Sequence, residues 1–308
     1  MNHLTGKALF DLWLADIKSG KPPLTWPSGD PIFEHIEVGP GRIVLVAGPP
    51  GCGKTSLLGQ WTFGMLLSNP GLRVLMANVE MPAGALLTRQ LSRLSGIPLT
   101  TIWRRQVHPC DASRLDDAAK VLRSVADRLA FAVDPHRLDA IAKAGADFRA
   151  DVLCLDYLQR IDPSGKATGM RERINVLMSE LRRLADRGKV GILAAAAVSR
   201  SRDGKGKATY DGRHLSIASL RESGELEFGC DDCLILHPTD DTPNAPVRSM
   251  LLRQEKARYG EPRDVALSFH RRTQRFEVDP FCMVSPSDAA APGAAENNGS
   301  RAWASRNP

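Results

Sequence analysis

From Arg42 onward, short apolar runs alternate with longer amphipathic ones. Arg42–Ala47 (RIVLVA), Arg73–Asn78 (RVLMAN), Leu129–Val133 (LAFAV), Val152–Asp156 (VLCLD) and Val190–Val198 have the length and composition of buried strands. Helices are predicted between them, over Lys54–Leu67, Gly84–Leu94, Leu115–Arg128, Leu138–Arg149 and Arg171–Arg187. In the last of these, Ile174, Leu177, Leu181 and Leu184 recur at three- and four-residue spacing, the stripe of a helix lying on a sheet. The alternation predicts an α/β fold with a mostly parallel sheet and helices on both faces. The pattern then changes to short strands and turns: Cys233–Leu236, Arg248–Gln254, Asp264–His270 and Arg275–Val278. These predict an antiparallel edge to the same sheet rather than a new domain.

The two ends read differently. Ala8–Ile17 predicts a short amphipathic helix with Leu9, Trp13 and Ile17 on one face, followed by a proline-rich linker over Gly20–Pro31. Ser285–Pro308 is rich in Ala, Pro, Asn, Gly and Ser and reads as a disordered tail. The expected organisation is an arm at 1–24, one large domain at 25–284 and a tail at 285–308.

Composition narrows the class. The chain has 308 residues, 43% hydrophobic and 25% charged, which excludes wholesale disorder. The longest apolar run, Val190–Val198, is far short of the roughly 20 residues a membrane helix needs. Asp11 and Asp16 interrupt the first twenty residues, unlike the core of a signal peptide. Six scattered cysteines without an export signal read as reduced thiols, so a cytoplasmic protein with no membrane partner is expected. The net charge of +6 suits a polyanion without identifying one.

Candidate chemistry centres on Gly48-Pro49-Pro50-Gly51-Cys52-Gly53-Lys54-Thr55, a full G-x-x-x-x-G-K-[ST] phosphate loop between a predicted strand and helix. Glycines let backbone N–H groups approach a phosphate chain, and the helix offers its positive end to the same anion. Gly48, Gly51, Cys52, Gly53, Lys54, Thr55 and Ser56 are the expected nucleotide-binding residues, with Lys54 on the β- and γ-phosphates. Thr55 would ligate Mg²⁺, and Asp156, ending an apolar strand, would hold the metal through water. Glu80 follows the strand ending in Asn78 and could orient and deprotonate water; equally, it could be a helix-initiating acid before Pro82. ATP and Mg²⁺ are the expected ligands. Cys230-Asp231-Asp232-Cys233 has C-x-x-C spacing but no second pair, so both thiols are read as strand-edge packing.

Four further segments carry a resemblance. Val79-Glu80-Met81-Pro82 with Arg89, Asp156-Tyr157-Leu158-Gln159, Leu220-Arg221-Glu222-Ser223-Gly224, and Lys256-Ala257-Arg258-Tyr259-Gly260 resemble, in order, the motifs of DnaB-type replicative DNA helicases. The likeness spans about residues 25–280 and implies that family's C-terminal RecA-like ATPase domain. It implies Glu80 as catalytic base, and Lys256 and Arg258 as fingers entering a neighbouring subunit's site within a hexameric ring. It also implies DNA-contacting loops after Gln159 and after Ser199. Ser199–Ser216 holds Arg200, Arg202, Lys205, Lys207 and Arg213 against Asp203 and Asp211, a basic stretch suited to a phosphate backbone.

Two departures stand out. Arg200 occupies the position where the family has a glutamine that senses the γ-phosphate. Only about 25 residues precede the domain, so the family's N-terminal primase-binding domain is not expected here, and Ala8–Ile17 would correspond to its linker helix. The implied function is an ATP-driven motor on single-stranded DNA, with a helicase loader or primase as further partners. The alternative is a RecA-fold regulatory or scaffolding ATPase that uses nucleotide for assembly without unwinding.

Overall fold

A computed structural model describes residues 5–165, 167–198, 201–202, 208–209, 224–240, 242 and 245–279. The central strands are β1 (Ile43–Gly48), β2 (Val74–Asn78), β3 (Leu129–Phe131), β4 (Val152–Asp156), β5 (Gly191–Ala197) and β8 (Asp232–Pro238). They join β9 (Val247–Ala257), β10 (Val265–His270) and β11 (Arg275–Val278) in one nine-stranded sheet, ordered β11-β10-β9-β8-β1-β5-β4-β2-β3. A separate two-stranded ribbon pairs β6 (Ser201–Arg202) with β7 (Ala208–Thr209).

The α/β expectation holds, with one correction at the edge. The strand at Cys233–Leu236 was expected to be antiparallel, but β8 runs parallel to β1, with Val44 opposite Asp232 and Ala47 opposite Ile235. The antiparallel part starts one strand later, where β9 pairs with β8 and β10 follows. Leu234, Ile235 and Leu236 are fully buried, as a strand covered on both faces requires. The helix predicted over Leu115–Arg128 is α5 (Ala112–Arg123), which gives way to a short 3-10 turn before β3.

Helices cover both faces. On one, α2 (Lys54–Ser68) buries Leu57, Trp61, Met65 and Leu66 with Val44, Val46, Leu234, Leu236 and Leu252 of the sheet. Trp61 also stacks on Phe33 at 4.1 Å between ring centres. On the other face, α7 (Met170–Gly188) buries Ile174, Leu177, Leu181 and Ala185, with α6 (Leu138–Phe148) beside it. The arm helix α1 (Gly6–Lys18) has no buried residue, and Leu9, Phe10, Leu12, Trp13 and Ile17 are all exposed. No described helix is long and apolar enough to cross a membrane. The tail expected at 285–308 lies outside the described residues.

The edge hairpin of β10 and β11 is tied to α2 by a glutamine acting as a strand. Gln60 donates from Nε2 to the Phe276 carbonyl oxygen at 2.9 Å and accepts the Phe276 N–H at 2.9 Å. At the opposite end of β9, Gln254 donates to the buried Asp232 carboxyl at 2.8 Å. Burial pushes that carboxyl up to about 6, while the Gln254 bond opposes the shift. The unfolded chain ionises Asp232 near pH 4, so the folded state binds the extra proton between about pH 4 and 6 and loses stability as pH rises through that window. Asp232→Asn keeps an acceptor for Gln254 without the charge. It is expected to stabilise the protein by about 2 kcal/mol at pH 8 and by almost nothing at pH 4, read from thermal melts across pH. An equal gain at both pH values would show that ionisation of Asp232 is not the cause.

Candidate nucleotide site

Parallel strands deliver their C-terminal ends to a common edge, and the candidate residues gather there. Gly48 ends β1, Asn78 ends β2 and Asp156 ends β4, with Asn78 directly opposite Asp156 in the register. The loop after β1 reverses the chain into α2. Gly53 has φ +99°, and a Cβ there would lie 2.8 Å from Phe276 and 3.1 Å from Phe269, so only glycine fits. Those two rings stack at 4.2 Å and form the floor under the loop. Gly48 is equally confined, because a Cβ would lie 2.4 Å from the Leu236 carbonyl oxygen. Gly51 also has positive φ, at +73°.

The side chains of the loop divide into those facing the site and those holding it. Lys54 folds back so that Nζ donates to the carbonyl oxygens of Gly48 at 2.7 Å and Pro49 at 3.0 Å. The Thr55 hydroxyl donates to Asp156 Oδ2 at 2.6 Å. Cys52 is buried beneath the loop, where burial pushes its thiol up, and Ser56 is buried with its hydroxyl donating to Gln274 Oε1 at 2.7 Å. Cys52 and Ser56 therefore have only backbone groups to turn toward a ligand. Gly53 caps α2 without a side chain, leaving the first N–H groups of a 15-residue helix uncapped by protein. These features fit a bound polyphosphate with a divalent cation: an uncapped helix start, a lysine whose ammonium is held by two neutral carbonyls, and a hydroxyl paired with a carboxylate.

Asp156 is the most constrained acid of this edge. Burial pushes its carboxyl up and nearby Glu80 adds to that, while the Thr55 hydroxyl and the Lys54 ammonium pull it back down. Asn78 links the two acids, donating from Nδ2 to Asp156 Oδ2 at 2.7 Å and accepting the N–H of Glu80 at 3.0 Å and of Met81 at 2.7 Å. Glu80 itself is exposed at the edge. Gln159 locks the next strand, exchanging two hydrogen bonds with the Ala197 backbone at 3.0 and 3.1 Å. Arg89 of α3 (Ala83–Ser95) donates to Gln274 and lies close enough to Asp156 to feel its charge. Asn78 and Gln274 were missed in the sequence. An asparagine two residues before an acid at a strand end is an Asx-turn signal that could have marked Asn78.

Lys256 and Arg258 lie elsewhere. β9 runs antiparallel to β8, so Lys256 opposite Cys233 and Ala257 opposite Asp232 sit at the far edge of the sheet. Four residues of strand, about 13 Å, and two strand spacings, about 10 Å, separate Ala257 from Gly48. Lys256 Nζ donates to the Cys230 carbonyl oxygen at 2.8 Å and Arg258 Nη1 to Asp231 Oδ1 at 2.7 Å. Arg200, Lys205, Lys207 and Arg213 lie outside the described residues, and of Arg202 only its place in β6 is described.

The family description "DnaB-like helicase C terminal domain" matches residues 37–278. A probable plasmid replicative DNA helicase of Chlamydia muridarum is 25% identical over 243 residues, covering 77% of this chain and 51% of that protein. A replicative DNA helicase DnaB of Helicobacter pylori is 25% identical over 209 residues, 64% of this chain and 40% of that protein. The chain thus spans about half the length of the curated relatives it matches. Among solved structures, the ATPase domain of G40P superposes with a TM-score of 0.74 at 20% identity, covering 90% of this chain and 99% of that one. A DnaB-like replicative helicase studied with primase gives 0.73 at 19% identity, covering 90% and 67%.

Gly53→Ala is expected to cost about 1–3 kcal/mol, from the left-handed backbone and the Phe276 contact. It should also weaken binding of a nucleoside triphosphate more than about tenfold, because the loop must lift from its floor. Calorimetric titration and thermal melts check both; unchanged affinity would remove the loop from the binding site.

Proposed function

The chain belongs to the DnaB-like helicase C-terminal domain family, and from that premise we propose that it is an ATP-hydrolysing motor that works between subunits on single-stranded DNA. The observation that carries this reading is the division of the candidate chemistry between opposite edges of one sheet. Lys54, Thr55, Asp156 and Glu80 share the edge of the phosphate loop, whereas Lys256 and Arg258 sit at the other. One copy cannot bring both sets to one phosphate chain. Two copies packed edge to edge can, and repetition of that contact closes a ring or extends a filament.

In this reading the uncapped start of α2 and Lys54 bind the triphosphate, while Thr55 would ligate Mg²⁺ directly and Asp156 would hold it through water. The cation supplies charge neutralisation at the transferring phosphoryl. Glu80 orients and deprotonates the attacking water, held in place by the Asn78 bond to its main chain. Lys256 and Arg258 of a neighbouring copy stabilise charge as the phosphoryl leaves. The Gln159 lock then ties the acid-bearing strand β4 to the end of β5, just before the basic stretch of Arg200, Arg202, Lys205, Lys207 and Arg213. That placement gives the nucleotide edge a rigid connection to a candidate DNA loop.

The exposed apolar side chains of α1 support the same assembly. Five large hydrophobic residues on one 13-residue helix are costly in water and fit a site on an adjacent subunit. A hexameric ring with a loader or primase bound to it is the full form of this proposal. The names of the relatives favour the motor over a purely scaffolding ATPase.

Subunit complementation tests it. Lys54→Ala and Arg258→Ala chains are each expected to lose more than about 99% of ATP turnover. Mixed together, they should recover up to roughly a quarter of it, because some interfaces pair an intact loop with an intact finger. Absence of recovery would point to action within one copy. Turnover indifferent to single-stranded DNA, together with no strand displacement, would leave an ATPase without the motor.

A further inference from the structure

Asp231 is almost completely buried at the base of the finger edge, and its carboxylate receives three donors. Oδ2 accepts the Ile43 N–H at 2.8 Å and Arg182 Nη1 at 2.8 Å, while Oδ1 accepts Arg258 Nη1 at 2.7 Å. The main chain repeats the last contact, since the Arg258 N–H donates to the Asp231 carbonyl oxygen at 3.0 Å. Arg182 in turn reaches back from α7 to the Gly41 carbonyl oxygen and to Asp186. One carboxylate therefore joins the start of β1, the helix α7 and the end of β9.

We propose that Asp231 is the positioning residue for Arg258, holding the guanidinium aimed outward before a neighbouring subunit docks. This rests on the finger role given to Arg258 above. The Asp231 carboxylate engages a single guanidinium N–H of Arg258, and the Arg258 side chain remains 42% exposed. The rest of the planar fork can thus meet a phosphoryl oxygen while the grip persists. Asp231 cannot swing to follow the finger, because Oδ2 is occupied by Ile43 and Arg182. Its charge is shared between two guanidinium groups, so Arg258 is oriented without being neutralised. A long side chain fixed in this way gives up its rotamer freedom in folding rather than in the transition state. The grip also rests on β1, whose other end carries the phosphate loop, so finger and loop of one copy hang from opposite ends of one strand.

The test is a double-mutant cycle on the full chain, assayed with ATP, Mg²⁺ and single-stranded DNA. Arg258→Ala should lower kcat by about 100-fold or more, and Asp231→Asn by about 10- to 100-fold with KM changed less than about twofold. If Asp231 acts through the finger, the double variant is no slower than Arg258→Ala alone. Asp231→Glu keeps a carboxylate for the buried donors and displaces the grip, so it should lower kcat about tenfold while its thermal midpoint stays within a few degrees. It also carries the cycle if Asp231→Asn does not fold. Multiplicative losses in the double variant, or unchanged kcat in Asp231→Glu, would overturn the positioning role and leave the finger reading intact. Wild-type kcat in Arg258→Ala would overturn both.

Discussion

Parallel strands joined by crossover helices must all emerge at the same edge, and everything else in this protein depends on that constraint. It brings Gly48, Asn78, Asp156 and Ala197 together although they span about half the chain. Asn78 and Asp156 end their strands with polar side chains and Gly48 with open backbone, where the chain leaves the buried sheet, while Ala197 is tied through its backbone to Gln159. The Thr55–Asp156 and Asn78–Asp156 bonds then act as cross-links between ends that the sheet has already brought close. Little extra entropy is lost in ordering them.

The switch to antiparallel pairing at β9 creates the second chemistry-bearing edge. An antiparallel strand returns the chain to the opposite end of the sheet, where Lys256 and Arg258 emerge beside the start of β8. The hairpin that follows goes back to the nucleotide edge and supplies the Phe269–Phe276 floor beneath Gly53. A single reversal in strand direction thus both separates Lys256 and Arg258 from the loop and supports the loop. Had β9 run parallel, its C-terminal cations would have shared the edge with Lys54.

Local signals made much of this legible. The phosphate loop, the acid ending VLCLD and the glutamate after Asn78 each announce themselves within a few residues, and five strands and most helices follow from apolar spacing alone. What was not legible depends on partners far apart in sequence. Gln60 reads as one polar residue in an apolar helix, yet it completes β11 across 216 positions. Gln274 reads as a turn residue, although it joins Ser56 and Arg89. The parallel sense of β8 was missed although its unbroken apolar run, Cys233–Leu236, is what a strand buried on both faces of a parallel sheet shows.

Asp231 shows where sequence patterning and physical role part. In the string Cys230-Asp231-Asp232-Cys233 the two acids look equivalent, but Asp231 lies in the bend before β8 and Asp232 is the first residue of the strand, and they meet different environments. Asp231 finds two guanidinium groups and a backbone N–H, a full set of donors for an ionised carboxylate. Asp232 finds one glutamine amide and is driven toward its neutral form. Neighbouring acids thus divide into one that can hold a cation and one that weakens the fold when charged. The first is the one joined to Arg182 and Arg258, so the cost of burying that charge is met by donors that its own edge of the sheet provides.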